Sequence, residues 1–209
     1  MNLDQIAGIA HEPDKQRYSA PIGAIVLTHG AGGSRESPLL TKICDEWARR
    51  GWLAVRYNLP YRRRRPKGPP SGSAASDQAG VAEAIALAHT LTKGPVIAGG
   101  HSYGGRMTSM VIADQSAAVD VLTLFSYPLH PPGKPERART DHLPRITVPT
   151  VFTHGTADPF GTIDELRPAV ALIAAPTQIV EVTGARHDLG SKTHNVPVLA
   201  VDAALQFLA

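Results

Sequence analysis

The chain has 209 residues, of which 43% are hydrophobic and 19% charged, values that predict one globular domain over residues 1–209 with a sizeable core. Its one cysteine, Cys44, excludes an internal disulfide and any multi-cysteine metal site. The net charge of +3 is modest, and no aromatics are interleaved among the basic residues, so no nucleic-acid partner is expected.

The first residues, Met1-Asn2-Leu3-Asp4, include an acid and lack a basic leader segment, while Ile6 to Ala10 is too short for a signal-peptide core. No run approaches a membrane span, so a cytoplasmic location without a membrane partner is expected. The first buried-strand pattern is Ala24-Ile25-Val26-Leu27-Thr28, which runs into His29-Gly30-Ala31-Gly32-Gly33. Ser37-Pro38 reads as a helix start, with serine as N-cap and proline in the first turn. The helix places Leu40, Ile43, Cys44 and Trp47 on one stripe and stops near Gly51; Cys44 there reads as a buried structural thiol. Leu53 to Arg56 is a strand, and residues 60–75, rich in Pro, Gly, Arg and Ser, read as a long exposed loop. Residues 76–92 form a helix with Val81, Ile85 and Ala88 inward. Val96-Ile97-Ala98 begins a further strand, followed by a helix with Met107, Met110 and Val111 facing the core. Val121 to Phe125 and Thr150 to Thr153 are strands separated by a proline-rich, irregular stretch over 127–146, too short to make a large cap. Gln178 to Val182 is the last strand, and a final helix carries Val198, Val201, Leu205 and Leu208 on one stripe. Apolar runs alternating with helices predict an α/β fold, a mostly parallel sheet with helices on both faces.

Gly100-His101-Ser102-Tyr103-Gly104 lies between a strand and a helix. A serine hydroxyl is a poor nucleophile unless held next to a base, and a sharp strand-to-helix turn can expose it with a backbone N–H behind it. The turn is tight enough that side chains two residues either side would collide, and both positions are glycine. About one chain in ten of this composition would carry G-x-S-x-G by accident, so the context has to decide. Three other strands end in glycine-bearing loops that hold an oxyanion candidate (Ala31), an acid (Asp158) and a histidine (His187). The order Ser102, Asp158, His187 is that of one triad fold and differs from the other common ones. The expected roles are nucleophile for Ser102, base for His187 and orienting acid for Asp158, with the backbone N–H groups of Ala31 and Tyr103 as oxyanion donors. Asp164 is an alternative acid and His194 a spare histidine. His29, His101 and His154 end strands beside the site and read as hydrogen-bonding supports; no H-x-x-x-H or carboxylate pair points to a metal, and no cofactor is expected.

With these residues in place the chain resembles the α/β-hydrolase superfamily, near dienelactone-hydrolase-like enzymes. It is further similar to a small group that includes a subunit of the NSL chromatin complex and testis-expressed relatives. The matching stretches are residues 29–33, Asn58-Leu59-Pro60-Tyr61, Gly99 to Arg106, Ser126 to Pro135 and His154 to Gly161, within a likeness running from about residue 22 to the end. The resemblance implies an α/β-hydrolase fold and a triad, and it names no substrate. The leading expectation is a serine hydrolase acting on a small ester or thioester. The alternative is a non-catalytic interaction module on the same fold, disfavoured because all three triad residues are kept. A third expectation, a dienelactone-hydrolase-like enzyme with a cysteine nucleophile, is disfavoured by Ser102 at the turn, Cys44 lying in a different helix.

Positive charge concentrates in Arg62-Arg63-Arg64-Arg65 and Lys67. The run reads either as a solvated loop or, with Lys134, Arg137 and Arg139 on a second loop, as a rim that attracts an anionic substrate or partner. Arg106, one turn past Ser102, is either an ion-pair residue or a contact for an anionic acyl group.

Overall fold

The computed structural model describes residues 2–70, 73–115, 117–190 and 193–209. Residues 71–72 of the expected long loop, and Ser191 and Lys192 between His187 and His194, lie outside this set. Seven strands form one sheet: β1 (Gly8–His11), β2 (Ala24–Thr28), β3 (Leu53–Tyr57), β4 (Val96–His101), β5 (Val121–Phe125), β6 (Thr150–Gly155) and β7 (Thr177–Val182). Their order is β1-β3-β2-β4-β5-β6-β7, with β1 antiparallel to β3 and all other pairs parallel. This is the α/β-hydrolase arrangement expected. The inner strands are buried throughout because helices cover both faces, so they read as unbroken apolar runs.

Alternate side chains of each strand feed two cores. On one face Ile25, Leu27, Ile97 and Val151 pack against α1 (Pro38–Arg49) and α6 (Val196–Leu205). On the other, Val26, Ala98, Leu122 and Phe152 pack against α3 (Ala74–Leu91), α4 (Tyr103–Ala113) and α5 (Ile163–Val170). Cys44 is fully buried in the first core, and burial pushes its thiol far above its ordinary pKa, as a structural thiol requires.

Several local expectations are corrected. Ser37 holds the cap position of α1 but makes no side-chain cap bond. The segment expected as an open loop begins with a short helix, α2 (Pro60–Arg64), which Pro60 starts with its preset φ. The long helix starts two residues early, where the Ser73 side chain accepts from the Ala75 N–H at 3.2 Å. In α6 the buried residues are Val196, Ala200, Val201, Ala203 and Ala204, so of the expected stripe only Val201 is buried. β1 and α5 were not anticipated; α5 is opened by a capping box between Thr162 and Glu165. Residues 127–146 hold two single-turn 3₁₀ helices, at 135–137 and 143–145, and no large cap. Among the described residues no helix is long and apolar enough to cross a membrane.

The register aligns the C-terminal ends of the parallel strands: Thr28 lies beside Gly100 and Tyr57, and His101 beside Phe125. The loops after β2, β3, β4, β5, β6 and β7 therefore emerge on one edge of the sheet, where α/β sheets bind their ligands.

Candidate active site

Ser102 stands between β4 and α4 with φ 51° and ψ −117°, a conformation that L residues adopt at a cost of about 1–3 kcal/mol. Three backbone contacts hold it there. Its N–H donates to Phe125 O at 2.8 Å, and the Arg106 N–H donates to Ser102 O at 2.9 Å. Gly104 approaches the β2 end so closely that a Cβ on it would lie 2.5 Å from His29 O. The glycines thus permit the backbone crossing that the strained serine requires.

His187, in the loop after β7, reaches Ser102 Oγ with Nε2 at 2.8 Å. Its Nδ1 lies 2.8 Å from Oδ2 and 3.0 Å from Oδ1 of Asp158, in the loop after β6. Asp158 is an acceptor, so Nδ1 carries the ring proton and the Nε2 lone pair is left for the serine O–H. Burial by itself raises the Asp158 carboxyl. The His187 bond, the Phe160 N–H at 2.9 Å and the nearby histidines outweigh it and hold the group below the ordinary carboxylate value. The Phe160 ring lies 4.2 Å from the His187 ring, at 31°, and fixes its plane. Asp164, the alternative acid, sits exposed in the first turn of α5.

The three strand-end histidines brace backbone. His101 Nε2 donates to His187 O at 2.7 Å, and His154 Nε2 to Gly161 O at 2.8 Å. His29 accepts the Leu59 N–H on Nε2 at 3.3 Å and donates from Nδ1 to Gly30 O at 2.9 Å. Burial keeps the imidazole neutral, with a pKa pushed down to about 4. Among the described residues no cluster of His, Cys, Asp and Glu could hold a metal ion.

The loop after β2 passes close to the serine: a Cβ on Gly30 would meet Ser102 Cβ at 3.3 Å. Its carbonyls are held from behind. Tyr61 Oη donates to Gly30 O at 3.1 Å and Ala31 O at 2.8 Å, and Arg62 donates from Nε to Gly33 O at 2.7 Å and from Nη2 to Ala31 O at 3.3 Å. The Tyr103 N–H opens α4 and so has no acceptor within the helix. Ala31, Ser102, Tyr103, Phe160 and His187 line one cleft of about 670 Å³. A larger cleft of about 790 Å³ alongside it shares His101 but does not include Ser102.

The expected basic rim is largely corrected. Arg62 is buried, and its guanidinium, with donors that fan out in one plane, is taken up by the carbonyls of Ala31, Gly33, Arg65 and Gly68. Arg63 turns to Gln5 O and Glu83, and Arg64 to Ser76. Lys134 is exposed in a turn and does not line the cleft. Arg106 does line it, together with Arg139 and Pro128. Sequence reading missed Phe160 as the ring on His187. It also missed Asp77, which accepts the Tyr61 N–H at 3.0 Å and the Tyr103 O–H at 2.8 Å beneath the cleft. Neither residue has a sequence signal, since each acts through a partner distant in the chain.

Three solved structures are similar in fold. An alpha-beta serine hydrolase homologue from Coxiella burnetii is 16% identical, with a TM-score of 0.73 over 97% of this chain and 91% of that one. Dienelactone hydrolase from Anabaena variabilis is 20% identical, with a TM-score of 0.69 over 96% and 90%. Est1E from Butyrivibrio proteoclasticus, solved with ferulic acid, is 14% identical, with a TM-score of 0.75 over 96% and 93%. A family model described as alpha/beta hydrolase domain matches residues 21–197, and the chain belongs to that family.

Proposed function

We propose that this protein is a serine hydrolase that cleaves a small ester or thioester through an acyl-enzyme, with one catalytic domain over residues 1–209 and a cytoplasmic location. The observation that carries the reading is the continuous relay from Asp158 through His187 to a backbone-strained Ser102, each link 2.8 Å long. Ser102 Oγ attacks the carbonyl carbon while His187 Nε2 takes its proton. The tetrahedral oxyanion accepts hydrogen bonds from the Ala31 and Tyr103 N–H groups, each worth roughly 3 kcal/mol by analogy with a protease donor. The C–O or C–S bond then breaks and His187 protonates the leaving group. Water, deprotonated by the same nitrogen, releases the acid and restores the serine. Asp158 orients the ring and stabilises the imidazolium throughout. The likeness to the group around the chromatin-complex subunit is most specific at Tyr127 to Pro135 and adds no substrate.

A fluorophosphonate probe followed by peptide mapping tests the reading. Labelling at Ser102, lost in Ser102→Ala, together with turnover of p-nitrophenyl acetate, is the expected result. An unlabelled, folded wild-type protein without esterase activity would leave the interaction-module reading in its place.

A further inference from the structure

We propose that Arg106 and Arg139 form a carboxylate-binding subsite, so that the preferred ester bears a carboxylate within a few carbons of its scissile carbonyl. This rests on the hydrolase reading of the same cleft. Arg106 lies four residues along from Ser102, about 6 Å of helix rise and on the same side of α4. Arg139 comes from the irregular segment after β5, and both side chains line the cleft that contains Ser102 and His187. No aspartate or glutamate lines that cleft among the described residues.

Neither arginine is neutralised. The Arg106 Nε is buried without a hydrogen-bond partner, and among the described residues no carboxylate pairs with either guanidinium. Arg139 donates from Nη1 only to Pro128 O, at 2.9 Å. Burial, followed by the charge of Arg106, lowers the pKa of Arg139, so two cations face one space. The acids nearby are engaged or turned away: Asp77 by Tyr61 and Tyr103, Asp114 by Arg145, and Asp141 exposed to solvent. Both side chains are part-exposed at the cleft, and a carboxylate has the geometry to take their N–H groups in pairs. Arg62 takes no part, since its guanidinium is taken up by backbone carbonyls.

Two substrate pairs test the subsite. The first sets p-nitrophenyl hemiglutarate against p-nitrophenyl pentanoate, with the charge on the acyl part. The second sets 4-acetoxybenzoate against its methyl ester, with the charge on the leaving group. In at least one pair the anionic ester should have a kcat/KM at least about ten-fold higher, and Arg106→Gln and Arg139→Gln should each collapse that ratio several-fold. A merely structural role would depress both members of a pair together and leave the ratio intact. Absence of a preference in both pairs, or a preference that survives both substitutions, overturns the proposal. Calorimetry on Ser102→Ala with monomethyl glutarate against dimethyl glutarate separates this from failure of the hydrolase reading. Binding selective for the monoanion and lost in Ser102→Ala/Arg106→Gln supports the subsite even without turnover, and no selectivity there counts against it.

Discussion

Ser102 and Ser109 lie two helical turns apart, and each has an imidazole Nε2 on its hydroxyl, at 2.8 Å from His187 and 2.7 Å from His142. By distance the two pairs are equivalent, and by surroundings they are opposites. Ser102 is strained and faces a cleft, and the far nitrogen of its histidine is held by Asp158. Ser109 sits inside α4 with its O–H donated to Arg106 O at 2.9 Å, so the histidine must donate to it rather than accept. No carboxylate hydrogen-bonds His142 among the described residues. Burial and then the charges of Arg106 and Arg145 push its pKa down to about 4. A serine–histidine contact becomes a candidate nucleophile when a third group sets the tautomer and the backbone turns the hydroxyl outward.

The largest expected effect breaks or confirms that contrast directly. Ser102→Ala should lower esterase kcat/KM by at least about a thousand-fold with an unchanged circular dichroism spectrum, whereas Ser109→Ala should stay within about three-fold. Ser109→Ala should still cost about 1–3 kcal/mol of stability, because it orphans the His142 donor. Equal activity losses in the two variants would erase the distinction.

The next effect concerns the third group. Asp158→Asn should lose about 10³- to 10⁴-fold in kcat, since an amide favours the wrong imidazole tautomer. Asp164→Asn and His142→Asn should change kcat by less than about three-fold. A dead Asp164→Asn beside an active Asp158→Asn would move the acid into α5.

A smaller effect sharpens the role of the loop facing Ser102. Arg62→Ala releases the carbonyls of Ala31 and Gly33, and kcat should fall about ten-fold with KM little changed, as for loosened oxyanion donors. Rescue by Arg62→Lys should be partial, since an ammonium cannot span the same fork of acceptors. A change confined to KM for anionic esters would instead restore Arg62 to the substrate rim.

The smallest effect is on stability against pH. His29 and His142 are held neutral with pKa values near 4, below the ordinary histidine value. Between about pH 6.5 and 4 the unfolded chain binds protons that the folded protein refuses, so stability is full above that window and declines as pH falls through it. For His29 the loss reaches at most roughly 3 kcal/mol. Melting temperatures from pH 7.5 to 4.5 should fall, and less steeply in His142→Asn. Identical slopes for wild type and variant would remove His142 from the linkage.

Much of the frame was legible because parallel strands covered on both faces must be apolar along their length, as Ala24 to Thr28 and Val121 to Phe125 are. Four such runs ending in loops with glycine, serine, aspartate or histidine placed the candidate residues on one edge. β1 was not legible: Gly8 to His11 is short, half-buried and paired only at the sheet edge. The face of α6 was not legible either, because Val196 to Leu205 is apolar nearly all round and its period selects no side.

By itself the sequence determined the alternation of strand and helix, the glycines that a tight turn at Ser102 needs, and a chain order of serine, acid and histidine that fits one fold. Those are local or periodic properties, and local chemistry dictates them. Only the tertiary structure set Asp158, and not Asp164, against His187, gave Ser102 and Ser109 different surroundings, and showed which arginines lack a carboxylate partner among the described residues. The choice among like side chains depends on partners from distant loops: Arg62 meets the carbonyls of the β2 loop, while Arg106 meets Arg139 and no acid. Composition counts those charges equally; burial and hydrogen-bond geometry do not.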